Sequence, residues 1–250
     1  PKCFMLDRFK NKKYLNLGCG GRYHQEWTNV NFYSTGPGVI AHNLRQRLPF
    51  PDNAYDVVYH SHVLEHFSKR DARLFMRECY RVLKPGGIIR LVVPDFEQIA
   101  RLYLSILDKA KQGDAIAAQK YEWIIIELFD QMVRNVPGGE MLNYWRQNPM
   151  PVEDFVIERV GSEVLNVLSI LRNPNNPLSM QHDTINSSLS DPLTIGTFRL
   201  SGEVHQWMYD EFSLSKLLRS IGFEDIRRCL ANESQIEGFN GFLLDIEADG

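Results

Sequence analysis

The feature that most limits what this chain can fold into is the run Lys13 to Leu17 (KYLNL), which ends abruptly in Gly18-Cys19-Gly20-Gly21. A short apolar run cut off by glycines reads as a buried strand entering a tight turn. The same grammar recurs downstream. Trp27 to Phe32 (WTNVNF) alternates as a second strand, and so little chain separates the two that any connecting helix must be short. Pro37-Gly38 turns the chain into a third strand at Val39 to Ala41. The prolines of Leu48-Pro49-Phe50-Pro51 forbid helix, Asp52-Asn53 suits a turn, and Tyr55 to Tyr59 (YDVVY) follows as a fourth strand. From Asp71 to Leu83, Leu74, Phe75, Cys79 and Val82 fall at helical spacing, and Lys84-Pro85-Gly86-Gly87 supplies the stop. Ile88 to Val93 (IIRLVV) reads as a fully buried fifth strand, and Pro94-Asp95 hands over to a helix at Phe96 to Lys111.

Strands alternating with helices predict an α/β fold, a mainly parallel sheet with helices on both faces. The strand ending at Leu17 is expected centrally, between those holding Val30 and Val57. From about 112 to 200 the rhythm breaks. Helical stretches near 115 to 135 and 153 to 172, then a Ser, Asn and Asp-rich loop through Asn173 to Ser190, read as a partly helical insertion or cap. Beyond it come a helix at Phe212 to Ser220, a stop at Gly222, and two last strands near Phe223 to Leu230 and Gly241 to Ile246. The organisation expected is one domain over 1–250 with its insertion at about 112–200.

Composition removes several function classes. With 44% hydrophobic and 24% charged residues, the 250-residue chain can bury a core and is not a disordered or coiled-coil sequence. No apolar run approaches the roughly 20 residues of a membrane helix, and no signal segment is visible. A net charge of −3 gives no general attraction to phosphate backbones, so nucleic acid is not the expected partner and a small or neutral ligand is. Cys3, Cys19, Cys79 and Cys229 are scattered without a C-x-x-C pair, which suits a reducing, cytoplasmic setting with all four as small buried apolar residues. The chain opens on Pro1 and closes on Ala-Asp-Gly, which suggests an excised or processed sequence. Nothing indicates its oligomeric state.

The glycine turn narrows the ligand. A dinucleotide fingerprint needs a third glycine where Tyr23 stands and an acid about 20 residues on, and a phosphate-binding P-loop needs Gly-Lys-Ser/Thr after the turn. Neither is present. What the residues do resemble is a class I S-adenosylmethionine-dependent methyltransferase of the type 11 group, whose fold is Rossmann-like. The resemblance is carried by LNLGCGG at 15–21, HQEWTNVN at 24–31, LPFPDNAYDVVYHSHVLEHF at 48–67 and ECYRVLKPGGIIRLVVPD at 78–95. VHQWMYDEFSLSKLLRSIGFEDI at 204–226 is similar to the end of a bacterial subgroup associated with surface-polysaccharide genes. Residues 96–200 carry no readable motif.

The resemblance implies S-adenosylmethionine as cofactor and places its contacts. Gly18 and Gly20 let the backbone approach it, with Asn16 bordering the turn and Leu44, Ser61 and His62 lining the pocket. Two positions depart from the pattern: Asn31 and Asn43 stand where relatives usually carry acids for the ribose hydroxyls and near the adenine. Asparagine keeps a carbonyl acceptor and loses the ionised one, and charge-assisted bonds are about twice as strong. The implied reaction is methyl transfer to a small or saccharide acceptor, an oxygen above all. Because the sulfonium already activates the methyl group, the protein need only align the partners, exclude water and remove a proton. His205, followed by Trp207 and Tyr209, and then Asp95 are the candidates for that last task. Asp95 is equally natural as a helix N-cap.

His62-Val-Leu-Glu65-His66 also matches the H-x-x-E-H zinc-protease signature, which must lie on a helix, whereas here it follows a strand. Some methyltransferases bind a divalent ion through a Glu-x-x-Glu-His segment, which His62, Glu65, His66 and His205 imitate. The reading adopted is a brace at a helix start, with no metal. Arg134, Glu140, Tyr144 and Arg146 suit either sugar contacts or a solvated helix end. The rival to an enzyme is a non-catalytic module that keeps the fold and serves as a partner subunit, for which the two asparagines are the best argument.

Overall fold

The computed structural model describes residues 12–173 and 191–246. Five parallel strands, β1 (Tyr14–Leu17), β2 (Thr28–Asn31), β3 (Val39–Ala41), β4 (Tyr55–Ser61) and β5 (Leu83–Val92), form one sheet in the order β3-β2-β1-β4-β5. β1 is central, pairing Leu17 with Val30 on one side and Leu15 with Val58 on the other. The order reverses at β1, so the carboxyl ends of β1, β2 and β4 open onto the crevice where α/β sheets take ligands.

The chain divides into two compact units, Pro1–Pro94 with Trp207–Gly250, and Asp95–Gln206. The first holds the sheet. Helix α1 (Lys69–Val82) buries Ala72, Phe75, Met76, Cys79 and Val82, and Ser68 caps its start by accepting from the Asp71 N–H. That stripe packs with Leu15, Leu17, Val30 and Val58 into the main core. Arg81, near the end of α1, clamps the preceding loop by donating to the carbonyls of Leu48 and Phe50 and to Glu78 and Asp52. α8 (Glu211–Arg219) is opened by a capping box between Asp210 and Ser213. On the other side of the sheet Tyr14, Trp27, Val57 and Tyr59 form a second cluster with Ile236, Phe239 and Leu244.

The two strands expected after α8 are absent among the described residues. Phe223 packs into the main core, Asp225 takes a left-handed backbone (φ +49°), and the chain continues irregularly to a 3-10 turn at Phe239–Phe242. The physical reason lies in β5. Arg90, with its side chain 6% exposed, pairs with the buried Asp245 and donates to the carbonyls of Leu230, Ala231 and Glu233. Carbonyls that a sixth strand would offer to a ladder go instead to a guanidinium. Tyr59 also reaches Asp245, and the Arg90 cation lies 4.6 Å from the Phe239 ring centre.

The second unit is helical: α2 (Phe96–Lys111), α3 (Ala115–Val133), α4 (Gly139–Trp145), α5 (Glu153–Val160), α6 (Ser162–Leu171) and α7 (Pro192–Leu200). The single helix expected over 153–172 is two, because Gly161 (φ +71°, ψ −143°) adopts a conformation that a helix interior does not allow. α4, too short to show a period, escapes sequence reading. Its own core gathers Trp123, Tyr144, Trp145, Val156 and Val164. Within it the buried Asp130 pairs with Arg134 and accepts from the Glu140 N–H, while Tyr144 donates to the Pro151 carbonyl. Arg134 and Tyr144 are thus internal braces of this unit and not the sugar contacts considered from sequence.

Cys19 and Cys79 are buried as expected; Cys229 is exposed, a correction, and one guanidinium nitrogen of Arg90 donates to its sulfur at 3.0 Å. Cys3 and the loop at 174–190 lie outside the described residues. Among the described residues no helix is long and apolar enough to cross a membrane.

Candidate functional site

Three strand ends of the first unit assemble the site. At the end of β1 the chain enters its glycine turn with Gly18 at φ +69° and Gly20 at φ +53°, and the N–H groups of Gly18 and Cys19 both donate to the Val30 carbonyl at 2.8 and 3.1 Å. A Cβ on Gly18 would stand 2.4 Å from Val63 Cγ2. Glycine is therefore required twice there, for the left-handed backbone and for the close approach of the 61–63 segment. Around Gly20 nothing lies within 4 Å of a built Cβ, so that side of the turn is open. Asn16, buried in β1, donates to the Arg22 carbonyl and to Asn29 Oδ1, and so ties the far side of the turn to β2.

At the end of β2, Asn31 is half-buried and its amide donates to the Tyr33 carbonyl at 3.2 Å. The exposed rings of Phe32 and Tyr33 follow it. Asn43 turns its side-chain oxygen to the N–H of Arg45, an Asx turn. Leu44 packs against the main core. Among the sequence candidates, Asn16, Gly18, Gly20, Asn31, Ser61 and His62 come to the carboxyl ends of β1, β2 and β4, and Asn43 and Leu44 follow β3.

At the end of β4, Ser61 is half-buried and His62 takes a left-handed backbone, φ +52°, with its N–H donated to the Val92 carbonyl of β5. The His62 side chain is 62% exposed, and its Nδ1 lies 3.2 Å from Oε1 of the fully buried Glu65. Burial works against the Glu65 charge, but the hydrogen bond and charge of His62 and the charge of His66 outweigh it and hold the carboxyl below its ordinary value. Glu65 lies in a 3-10 turn, Leu64–His66, and not on the helix that the zinc-protease signature requires. Nearby, burial drives His60 down to about 4, against the pull of Glu65, and burial together with Glu65 drives Tyr209 up to about 12. His60 is therefore neutral and Tyr209 protonated near neutrality. Glu65, whose burial no sequence pattern announced, is the site residue that sequence reading undervalued.

The two candidates for proton removal belong to the second unit. Asp95 accepts from the Gln98 N–H as N-cap of α2. His205 is buried, with its N–H donated to the Gln131 carbonyl.

Residues 15–91, from β1 to β5, match the family model of a methyltransferase domain. That segment is similar to methyltransferase domains, among them proteins named for their dependence on S-adenosylmethionine. Among similar proteins, one of Mycolicibacterium smegmatis named a probable S-adenosylmethionine-dependent methyltransferase is 41% identical over 108 residues, 36% of this chain and 41% of its own. A ubiquinone/menaquinone biosynthesis C-methyltransferase of Pasteurella multocida is 36% identical over 152 residues, 55% of this chain and 50% of its own. A demethylmenaquinone methyltransferase of Staphylococcus aureus is 29% identical, over 49% of each chain. The chain thus spans half or less of these relatives' lengths. An S-adenosylmethionine-dependent methyltransferase structure from Mesorhizobium loti superposes with a TM-score of 0.27 at 20% identity, over 32% of this chain and 45% of that one.

Proposed function

We propose that this protein transfers the methyl group of S-adenosylmethionine to a small acceptor bearing a weakly acidic hydroxyl, a saccharide or another compound of that kind. The observation that supports it is the glycine turn at the end of the central strand, held open at Gly20 and pressed against Val63 at Gly18, inside the methyltransferase domain. In this reading Asn16, Gly18, Gly20, Asn31, Asn43, Leu44, Ser61 and His62 border the cofactor. The backbone of the turn comes close to the ligand, and the amide oxygens of Asn31 and Asn43 are neutral acceptors for its hydroxyl and amino groups. The bound cofactor supplies an activated methyl group, and the protein aligns it with the acceptor and excludes water. The chain 1–250 acts as one methyltransferase, with the insertion at about 112–200 selecting the acceptor and Asp95 and His205 as acceptor-side residues.

A second acceptor class is favoured by the names of relatives: the Pasteurella multocida and Staphylococcus aureus proteins point to the ring of a demethylmenaquinone-like compound, methylated at carbon. Calorimetry with S-adenosylmethionine and S-adenosylhomocysteine tests the common part. Binding of both is expected. Binding of neither would end the enzyme reading and leave the non-catalytic module. Transfer of labelled methyl to a hydroxylated saccharide or to reduced demethylmenaquinone then separates the two acceptors.

A further inference from the structure

We infer that His62 and Glu65 form a proton-accepting dyad, in which His62 Nε2 takes the proton the acceptor loses on methylation and Glu65 positions the ring. The inference rests on the methyltransferase reading and deepens it. It gives the proton a destination within the first unit, at the strand ends where the cofactor turn lies.

Place comes first. His62 ends β4, and the next residue, Val63, is the neighbour that a Cβ on Gly18 would strike, so the dyad adjoins the glycine turn. The left-handed backbone at His62 is a conformation that non-glycine residues adopt at a cost, and such strain persists where surrounding structure imposes it. Here the Val92 carbonyl holds the His62 N–H, and the Glu65 carbonyl holds the N–H of Trp207 at 3.2 Å.

Chemistry comes second. Glu65 is fully buried, one carboxylate oxygen lies on His62 Nδ1, and the other, also buried, has no hydrogen-bond partner among the described residues. An ionised carboxylate only accepts, so Nδ1 must carry the proton and Nε2 the lone pair. A carboxylate behind an imidazole also raises its basicity and fixes its orientation. The other titratable groups of the first unit near Glu65 do not compete. His60 has no exposed surface, and Tyr209, pushed up to about 12, keeps its proton; His66 contributes charge from within the turn.

The step balances. An electron pair of the acceptor, a lone pair on oxygen or the π pair of an electron-rich carbon, forms the new bond to the methyl carbon, and the carbon–sulfur bond breaks with its pair going to sulfur. The sulfonium becomes the neutral thioether S-adenosylhomocysteine, and the acceptor proton passes to Nε2 and on to solvent. A positioned base of this kind contributes about 10²- to 10⁴-fold in rate.

Nitrogen-15 spectra of histidine-labelled protein test the dyad without any acceptor. The expected state of His62 is the Nδ1-protonated tautomer, with S-adenosylhomocysteine shifting its signals more than those of His24. Glu65→Gln should lower the ring's titration midpoint by about one pH unit. His62→Asn keeps a residue tolerant of the left-handed backbone. At saturating S-adenosylmethionine, where a change in cofactor affinity does not enter, it should lose about 10²-fold or more in transfer to reduced demethylmenaquinone. An Nε2-protonated His62, a ring indifferent to Glu65→Gln or to bound S-adenosylhomocysteine, or undiminished transfer by His62→Asn would each overturn the dyad. If Glu65→Gln does not fold, the wild-type tautomer and His62→Asn decide. If the wild type leaves that acceptor unmethylated, the tautomer decides. Failure of the wild type to bind S-adenosylhomocysteine would instead count against the methyltransferase reading, with the tautomer still reporting on the dyad.

Discussion

Replacing Gly18 with alanine should damage the protein through two separable causes. The first is backbone: at φ +69° a Cβ faces its own carbonyl, at about 1–2 kcal/mol, partly offset by the unfolded-state entropy that alanine removes. The second is contact. The new Cβ would lie 2.4 Å from Val63 Cγ2, and because Val63 is buried in the main core its movement displaces neighbours, at about 1–3 kcal/mol. Together Gly18→Ala should cost about 2–4 kcal/mol. Val63→Ala alone should cost about 2 kcal/mol, from two lost methyl groups. In the double variant the contact vanishes, leaving the backbone cost and that of Val63→Ala, so the cycle should show a coupling of about 1–3 kcal/mol. Gly20→Ala, at φ +53° with nothing within 4 Å, should cost about 1 kcal/mol and show no coupling to Val63. Native-state hydrogen exchange at β1 and β4 amides gives these free energies for the first unit by itself. Additivity of Gly18→Ala and Val63→Ala within about 0.5 kcal/mol would refute the close approach on which the site's geometry depends.

Other outcomes follow from single contacts. His60 is depressed to about 4 by burial, so between about pH 6.5 and 4 the unfolded chain binds more protons than the folded one. Stability should be full above that window and fall by about 3 kcal/mol as pH drops through it. His60→Leu should flatten that slope, and an unchanged slope in urea titrations would disprove it. Asn31→Asp should tighten S-adenosylmethionine by about fivefold in calorimetry, since bonds to a charged acceptor contribute about 1 kcal/mol more, at the loss of the amide bond to the Tyr33 carbonyl. No gain would mean that residue 31 does not meet the ribose. Arg90→Met leaves Asp245 buried without its cation and should cost about 3–5 kcal/mol. It should also speed exchange of the amides from 229 to 245 before those of β1, and uniform acceleration would contradict a local clasp. Chelation should leave S-adenosylhomocysteine binding unchanged, and one equivalent of ion lost with His66→Ala would reverse that expectation.

What the sequence determined by itself is the sheet of the first unit and the place of its glycine turn. Apolar runs in Tyr14 to Leu17, Val39 to Ala41 and Tyr55 to Ser61, each bounded by glycine, proline or Asx residues, can satisfy their backbones and bury their side chains together in few other ways. That is local information, written in neighbouring residues. The end of Phe96–Lys111 was legible for the same reason. Tertiary structure decided what depends on partners distant in sequence. Phe223 to Leu230 follows the Gly222 stop and reads as a strand, yet Arg90 in β5 takes the carbonyls near its end, a competition between a side chain and a ladder that no local pattern registers. The site shows the same division. Gly18 could be singled out from its turn, but its second reason, Val63, comes from the other side of the central strand. Glu65 reads as one more charged residue near a helix start, and only folding removes it from water and sets it on His62 Nδ1, because burial and hydrogen bonding are properties of the packed chain and not of any window of it.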